Sequence, residues 1–589
     1  MKNNIKYLIN ELTSKRVDKL TRKRINTFTR QLVNSSTRLL VYLLTCLLVN
    51  FSCGDYLDRA PELSLDDKTV FTIFSNAERF HNDVYTNLYA RFNAVGDYQP
   101  VPMSSASDES DSPAGYHGTQ NFNMGIYDGI DADLGNYYGG IRKANIFLSN
   151  REIIPFPSET KKNQMLGETY FLRAFYFNEI VKRFGGMPIM DETRIIMPGE
   201  QMNYPRNTYK ECIEFILADL EKAVPLLPVE LPENEYGRAT RGAAMALKAR
   251  VLLYAASPLW RQEMGEDLWR QAAEAAKALI DLTNNGEKVY ELYATGNAAA
   301  DYEQLFFRRR ENGNKEIIFY KHASPAGFSS SEIQVWAPKG GNLGGDGAVC
   351  PTQNFVDLFE MANGKPIHEE GSGYNPQNPY ANRDPRFYKT ILYNGCQWQG
   401  ETLDLSYNPN QDLSGAHRKT KEYTRTGYYV RKYLPESVKY QTTNTSYHNW
   451  IYFRLAEMYL NYAEALNETL ASPSQEVYDA VNAVRSRSGA VNLPSGLGKD
   501  QMRERIWNER AIELSFEEHR WWDARRWKKA TDWFGGSMYE MEITKENGQP
   551  VYATKPFYTR TYRSHMDLYP IPVAEMRKNP LYVQNPGWE

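Results

Sequence analysis

Three carboxylates fall within four residues of ASDESDSPAGYHGTQNF, positions 106–122: Asp108, Glu109 and Asp111, followed by Tyr116, His117, Gln120 and Asn121. Its Gly and Ser content marks a loop, and a polar loop carrying an aromatic ring and side-chain amides suits hydrogen bonding to a ligand. The carboxylates suit hydroxyl groups or a cation such as calcium. Glycosidase chemistry also uses two acids, but roughly 5 to 10 Å apart across a cleft, which three acids on one loop do not obviously supply. A second loop, SSSEIQVWAPKGGN at 329–342, contains Trp336. An exposed indole there would stack on the apolar C–H face of a sugar and leave its hydroxyls to the polar rim.

Other chemistry is absent from the pattern. The glycines of GGNLGGDG (340–347) lack the Gly-Lys-Ser/Thr of a phosphate-binding loop and read as a flexible loop. Neither a GxSxG elbow nor an HExxH pair occurs, and the eight histidines are scattered. The densest titratable run, ELSFEEHRWWDARRWKK (513–529), offers Glu517, His519 and Asp523 as conceivable metal ligands and Glu518 as a conceivable acid. Arg520, Arg525 and Arg526 alternate with them at helical spacing, so the run reads as a salt-bridged helix. No catalytic residue and no cofactor are expected.

The elements that must hold these loops are helices. DDKTVFTIFSNAERFHNDVYTNLYARF (66–92) puts Val70, Phe74, Ala77, Val84 and Leu88 near one face. Further helical stretches cover 137–150, 158–183, 207–227, 240–257, 267–282 and 451–468, with Gly185-Gly186 as a stop and Thr208/Glu211 as a capping box. Small residues line adjacent helices, as in TRGAAMALKARVLLYAAS and EDLWRQAAEAAKALIDL, a pattern similar to tetratricopeptide hairpins without a clean period. Residues from about 290 to 450 are rich in Gly, Pro, Asn and Tyr with short strand-like runs such as KEIIFYKHA. The expectation is a mainly α protein: a helical region 53–289 with a binding loop at 97–122, a loop-rich inserted subdomain 290–450, and a helical region 451–589.

The 589 residues are 42 % hydrophobic, 24 % charged and 13 % aromatic, with a formal net charge of −3, which argues for a globular chain and against nucleic acid as partner. A basic N-terminal stretch and the apolar run LLVYLLTCLLV (39–49) have the form of a signal, too short to span a bilayer. The run ends near Cys53, preceded by Ser52, which suits a lipoprotein acylated at that cysteine; Cys46 is a competing site. Cys212, Cys350 and Cys396 make no disulfide framework, and Cys212 sits at core spacing in a helix.

Ten segments in order resemble the SusD/RagB family of outer-membrane nutrient-binding lipoproteins. They run from CGDYLD (53–58) through IRKANIFL, KRFGGMPIM, TRGAAMALKARVLLYAASPLW, FEMANGKPI, NRDPRFYKTI, RLAEMYLNYAEALNE, VNAVRSRSG and NERAIELSFEEHRWWDARRW to YPIPVAEMRKNPLYVQNPGW (569–588). The resemblance implies about four tetratricopeptide-like helix pairs bearing a loop-rich ligand-binding face, and a lipid at Cys53 after a signal of residues 1–52. It implies a non-enzymatic role: binding of an oligosaccharide or polysaccharide at the cell surface and delivery to a SusC-like TonB-dependent outer-membrane transporter. The RagB branch leaves peptide as an alternative ligand, and a lipid-anchored glycosidase is the remaining one. In the family the ligand loops follow the first helix and lie in the inserted subdomain, which here places Tyr98, Asp108, Tyr116, Asn121 and Trp336 as the binding residues.

Overall fold

The computed structural model describes residues 67–89, 92, 95, 100–127, 134–195, 202–265, 267–321, 328–329, 334–439, 445–446 and 449–589. Local signals start the helices where the sequence places them. Thr208 Oγ1 accepts the Glu211 N–H at 3.2 Å, and Glu211 returns the bond to the Thr208 N–H at 2.8 Å. This box opens helix α4 (Tyr209–Leu226). Helix α3 (Glu159–Phe184) starts on the Ser158 side chain and stops at Gly185, whose φ of 73° excludes most side chains. A Cβ at the next residue, Gly186, would lie 2.0 Å from the Asn207 carbonyl oxygen, so the α3–α4 connection can be that tight only with glycine.

Helix α1 (Phe74–Val84) leans on α2 (Leu134–Ser149), and α2 on α3. The stack continues through α4 and α5 (Arg241–Ala256) to α6 (Trp269–Ile280). Alanines make the last contact close: Ala243, Ala246 and Ala249 on α5 and Ala272, Ala273 and Ala276 on α6 are all buried. The other face of α6 packs on α7 (Leu455–Thr469), against which α8 (Gln475–Arg487) and α9 (Lys499–Glu513) both lie. After α1, helices α2 to α9 make four pairs in chain order, and the whole segment 281–454 enters between α6 and α7, the two helices of the third pair.

That segment contributes short paired strands. Strand β2 (Ile317–Lys321) pairs antiparallel with β4 (Trp450–Arg454), leading straight into α7. Strand β3 (Cys350–Pro351) pairs with β1 (Ser110–Asp111). Its apolar residues, Trp336, Phe355 and Trp398 among them, belong to the same hydrophobic cluster as Phe175 on α3, Leu252 on α5 and Trp521 near the C-terminus. The glycine-rich run 340–347 is a packed wall rather than a free loop. A Cβ at Gly340, Gly345 or Gly347 would come within 2.4 Å of the carbonyl oxygens of Ala416, Ala337 and Tyr423. The longest strands form a hairpin, β5 (Gly536–Glu546) and β6 (Gln549–Arg560), turned at Asn547-Gly548 with φ of 50° and 79°. After α9 comes helix α10 (His519–Arg526), shorter than the charge spacing of 513–529 predicts, because Phe516 and Glu518 adopt positive φ (58° and 62°) ahead of it. No helix among the described residues is long and apolar enough to cross a membrane.

Candidate functional site

Every carboxylate of the acidic loop is buried and bonded inward. Asp108 accepts from Arg520 Nε at 2.9 Å on one oxygen and from Nη2 at 2.7 Å on the other, and its carbonyl accepts the Thr352 hydroxyl. Arg520 lies 4.0 Å over the Trp533 ring, and the pair floors an open cleft of about 580 Å³ walled by Trp507 and Trp533. Glu109 Oε1 accepts the Phe516 N–H at 2.9 Å. Burial pushes its carboxyl up to about 8, with the Phe516 bond pulling the other way. Asp111 Oδ1 accepts from Arg425 at 3.0 Å and Gln120 at 3.1 Å, while Oδ2 accepts from Arg560 at 2.7 Å. The loop is thus sewn to four distant segments, and removing one partner of such a buried charged bond costs about 3–5 kcal/mol. Asp108 is therefore an anchor, not the exposed hydrogen-bonding group that its Gly- and Ser-rich context suggested. Among the described residues no group of His, Cys, Asp or Glu has the arrangement of a metal site.

Trp336 requires the same correction. Its indole is fully buried, and its N–H donates to the Phe92 carbonyl at 3.0 Å. Its ring meets Phe92, Tyr433 and Phe516 edge-on at 5.8–6.1 Å. It supports the loop face from below and offers no ring to solvent. Tyr98 and Cys53 lie outside the described residues.

The anchored loop presents its tip. Tyr116 is 60 % exposed, and His117, 3 % exposed, sits beneath it with ring centroids 4.7 Å apart at 75°. Neither His117 ring nitrogen has a hydrogen-bond partner among the described residues. Burial, reinforced by Arg425, pushes its pKa down to about 4, so the ring is neutral at pH 7. Asn121 is half-buried on the short helix Thr119–Asn123, and Met124 and Ile126 are exposed beyond it. Arg425 closes the inner side: its Nη2 donates to the Pro113 carbonyl at 2.6 Å and its guanidinium lies 6.0 Å over the Tyr558 ring. Lys339, 5.2 Å over Tyr423, stands on the glycine wall. An exposed ring beside polar groups on a rigid base is suited to holding a ligand, with stacking and hydrogen bonds supplied by separate side chains. Arg425 has one signal in the sequence, the basic run HRKTKEYTR (417–425) in a chain of net charge −3; Lys339 and Tyr558 have none.

Comparison with known proteins agrees with this architecture. Residues 55–253 match a family model described as starch-binding associating with outer membrane, and residues 315–588 match the model of the SusD family. SusD-like protein P2 of Formosa agariphila is 27 % identical over 489 residues, 80 % of this chain and 83 % of that one. The crystal structure of a SusD-like protein from Bacteroides fragilis superposes with a TM-score of 0.72 at 28 % identity, covering 89 % of this chain and 99 % of that chain. A laminarin-binding SusD-like protein shares the fold at a TM-score of 0.61 and 22 % identity, over 87 % of this chain and 99 % of its own. Two family models in succession along one chain, over a stack of helix pairs with a long segment entering the third, identify it as a member of the SusD/RagB family.

Proposed function

We propose that this protein is a surface lipoprotein, acylated at Cys53, that captures a glycan on the loop face around Tyr116 and hands it to a SusC-like TonB-dependent outer-membrane transporter. Membership of a family whose models carry starch binding and outer-membrane association supports the role. The observation that carries the site is the contrast within one loop: its acids are all tied down inside, and its ring, Tyr116, is held out in solvent. Buried, bonded carboxylates anchor a binding platform and do not face each other across a cleft, which favours capture over glycosidic cleavage. Asn121 and Tyr98 join Tyr116 as ligand contacts in this reading.

Isothermal titration against a panel of oligosaccharides tests it. Binding to at least one glycan, weakened about tenfold by Tyr116→Ala, is the expected result; binding of peptides and of no glycan transfers the site to peptide capture. Co-purification with the transporter from outer membranes, lost when Cys53→Ala blocks acylation, tests the location.

A further inference from the structure

The charge around the loop tip is uneven. Asp111 is shared by two guanidiniums, those of Arg425 and Arg560, and Glu540 is shared by Arg418 and Lys421. Each of these carboxylates is thus bonded by two cations, with Glu542 as a further acid facing Lys421. The two clusters are continuous, because Arg418 donates to the carbonyls of Thr424 at 3.0 Å and Arg425 at 2.9 Å. The connecting run HRKTKEYTR adds Lys419, exposed, against the single acid Glu422. The adjoining glycine wall carries two acids of its own, Glu401, which accepts the Asn342 N–H and faces His417, and Asp346, which accepts from Gln334 and faces Lys339.

We infer that the ligand of this face is an anionic saccharide, bearing carboxylates or sulfate esters, with a sugar ring on Tyr116 and an acid group against Arg425; the inference rests on the glycan-capture reading above. Arg425 spends one N–H on Asp111 and one on Pro113, and a guanidinium carries five, so three remain for an oxyanion. Half-burial over the Tyr558 ring strengthens each such bond relative to one in bulk water. His117 adds a second, independent pointer. It is 97 % buried, neutral and adjacent to both Tyr116 and Arg425, with one N–H donor and one acceptor that no described protein group satisfies. A carboxylate or sulfate oxygen accepts that N–H, and a neighbouring sugar hydroxyl donates to the other nitrogen. A neutral glycan would offer those remaining Arg425 N–H groups no charged acceptor.

Calorimetric titration with three hexasaccharides of equal length, a uronate, a sulfated galactan and a neutral β-glucan, tests this at about 50 and about 300 mM salt. The expected result is that one anionic probe binds at least about tenfold more tightly than the neutral one and loses several-fold affinity across that salt range. Which of the two anions wins identifies the acid group. Arg425→Gln is expected to remove at least about tenfold of the anionic affinity and most of its salt dependence. Because Arg425 also holds the loop, Lys419→Gln on the exposed run is the companion variant, with an expected loss of about twofold and unchanged melting. Equal or tighter binding of the neutral hexasaccharide, without salt dependence, overturns the anionic assignment and leaves glycan capture standing. Binding of none of the three, alongside peptide binding, overturns both.

Discussion

The acidic loop 106–122 and the charged run 513–529 look alike in sequence, each dense in titratable groups, yet they suggest opposite roles: one a ligand loop, the other a salt-bridged helix. In the structure they bond to each other. Asp108 pairs with Arg520, and Glu109 takes the Phe516 N–H, across more than 400 positions of sequence. Most charges of the C-terminal run also find distant partners. Glu513 meets Arg386, Arg454 and Arg487; Glu517 meets Arg454 and Lys432; and Arg526 meets Glu464 as well as Asp523 three residues before it. The difference lies at one place only. The C-terminal run is buried from Glu513 to Trp527 and opens only at Lys528, whereas the loop turns outward after Pro113 and exposes Tyr116. Charge density marks where segments join, and binding potential lies where the joined segment comes back to the surface.

The largest effect expected on this comparison is at the centre of the C-terminal network. Burial raises the Glu513 carboxyl and the three guanidiniums overcome it, holding it well below the ordinary range. Glu513→Ala takes one carboxylate from each of three buried guanidiniums, leaving Arg487 only Glu316, and denaturant unfolding should show a loss of about 3–5 kcal/mol or no folded protein at all. A wild-type midpoint would mean the network is not structural. Next comes the junction itself. Asp108→Asn and Arg520→Met should each cost about 3 kcal/mol, and the double variant clearly less than their sum; strict additivity would show that the two side chains do not depend on each other.

Glu109 gives the junction a pH signature. Its folded pKa is raised from 4.5 to about 8, so the folded state keeps a proton that the unfolded chain releases. Stability from this group is present at low pH and falls by up to about 1.4 kcal/mol per unit until the pH passes the folded value. The buried histidines 81, 117 and 519 are shifted down and act with the opposite sign below 6.5. Lys182, lowered to about 8 by burial, acts with the opposite sign as the pH nears that value. The decline that begins at 6.5 and fades toward 8 is therefore the mark of Glu109. Urea titrations across that range should show a declining stability that Glu109→Gln flattens. The smallest stability change is expected at the tip: Tyr116→Ala should shift unfolding by under about 0.5 kcal/mol while weakening the glycan. Trp336→Phe should do the reverse, costing about 1–3 kcal/mol through the lost Phe92 bond and the space left behind. Equal stability losses for these two would dissolve the distinction between support and platform.

Much of the scaffold is legible from local chemistry. Thr208 with Glu211, Ser158, Gly185-Gly186 and the alanine-lined faces at 240–280 announce helices α3 to α6 because capping and close packing act over a few residues. The Asn547-Gly548 turn was equally readable in retrospect, since few other pairs adopt its backbone. The site was less so. Trp336 and Asp108 have the residue types of a sugar site, and nothing near them in sequence reveals the Phe92 carbonyl or the Arg520 guanidinium that claims each one. Arg425 lies more than 300 positions from the loop it supports.

What the amino-acid sequence determined by itself was the family, the helical scaffold and the order of its pieces, because periodicity, caps and contiguous motifs are properties of short stretches of chain. Only the tertiary structure decided which charged and aromatic groups remain available to a ligand. A carboxylate or an indole is a binding group until another part of the chain buries and bonds it. Here, folding took Asp108 and Trp336 inside and left Tyr116, with Arg425 beside it, at the surface.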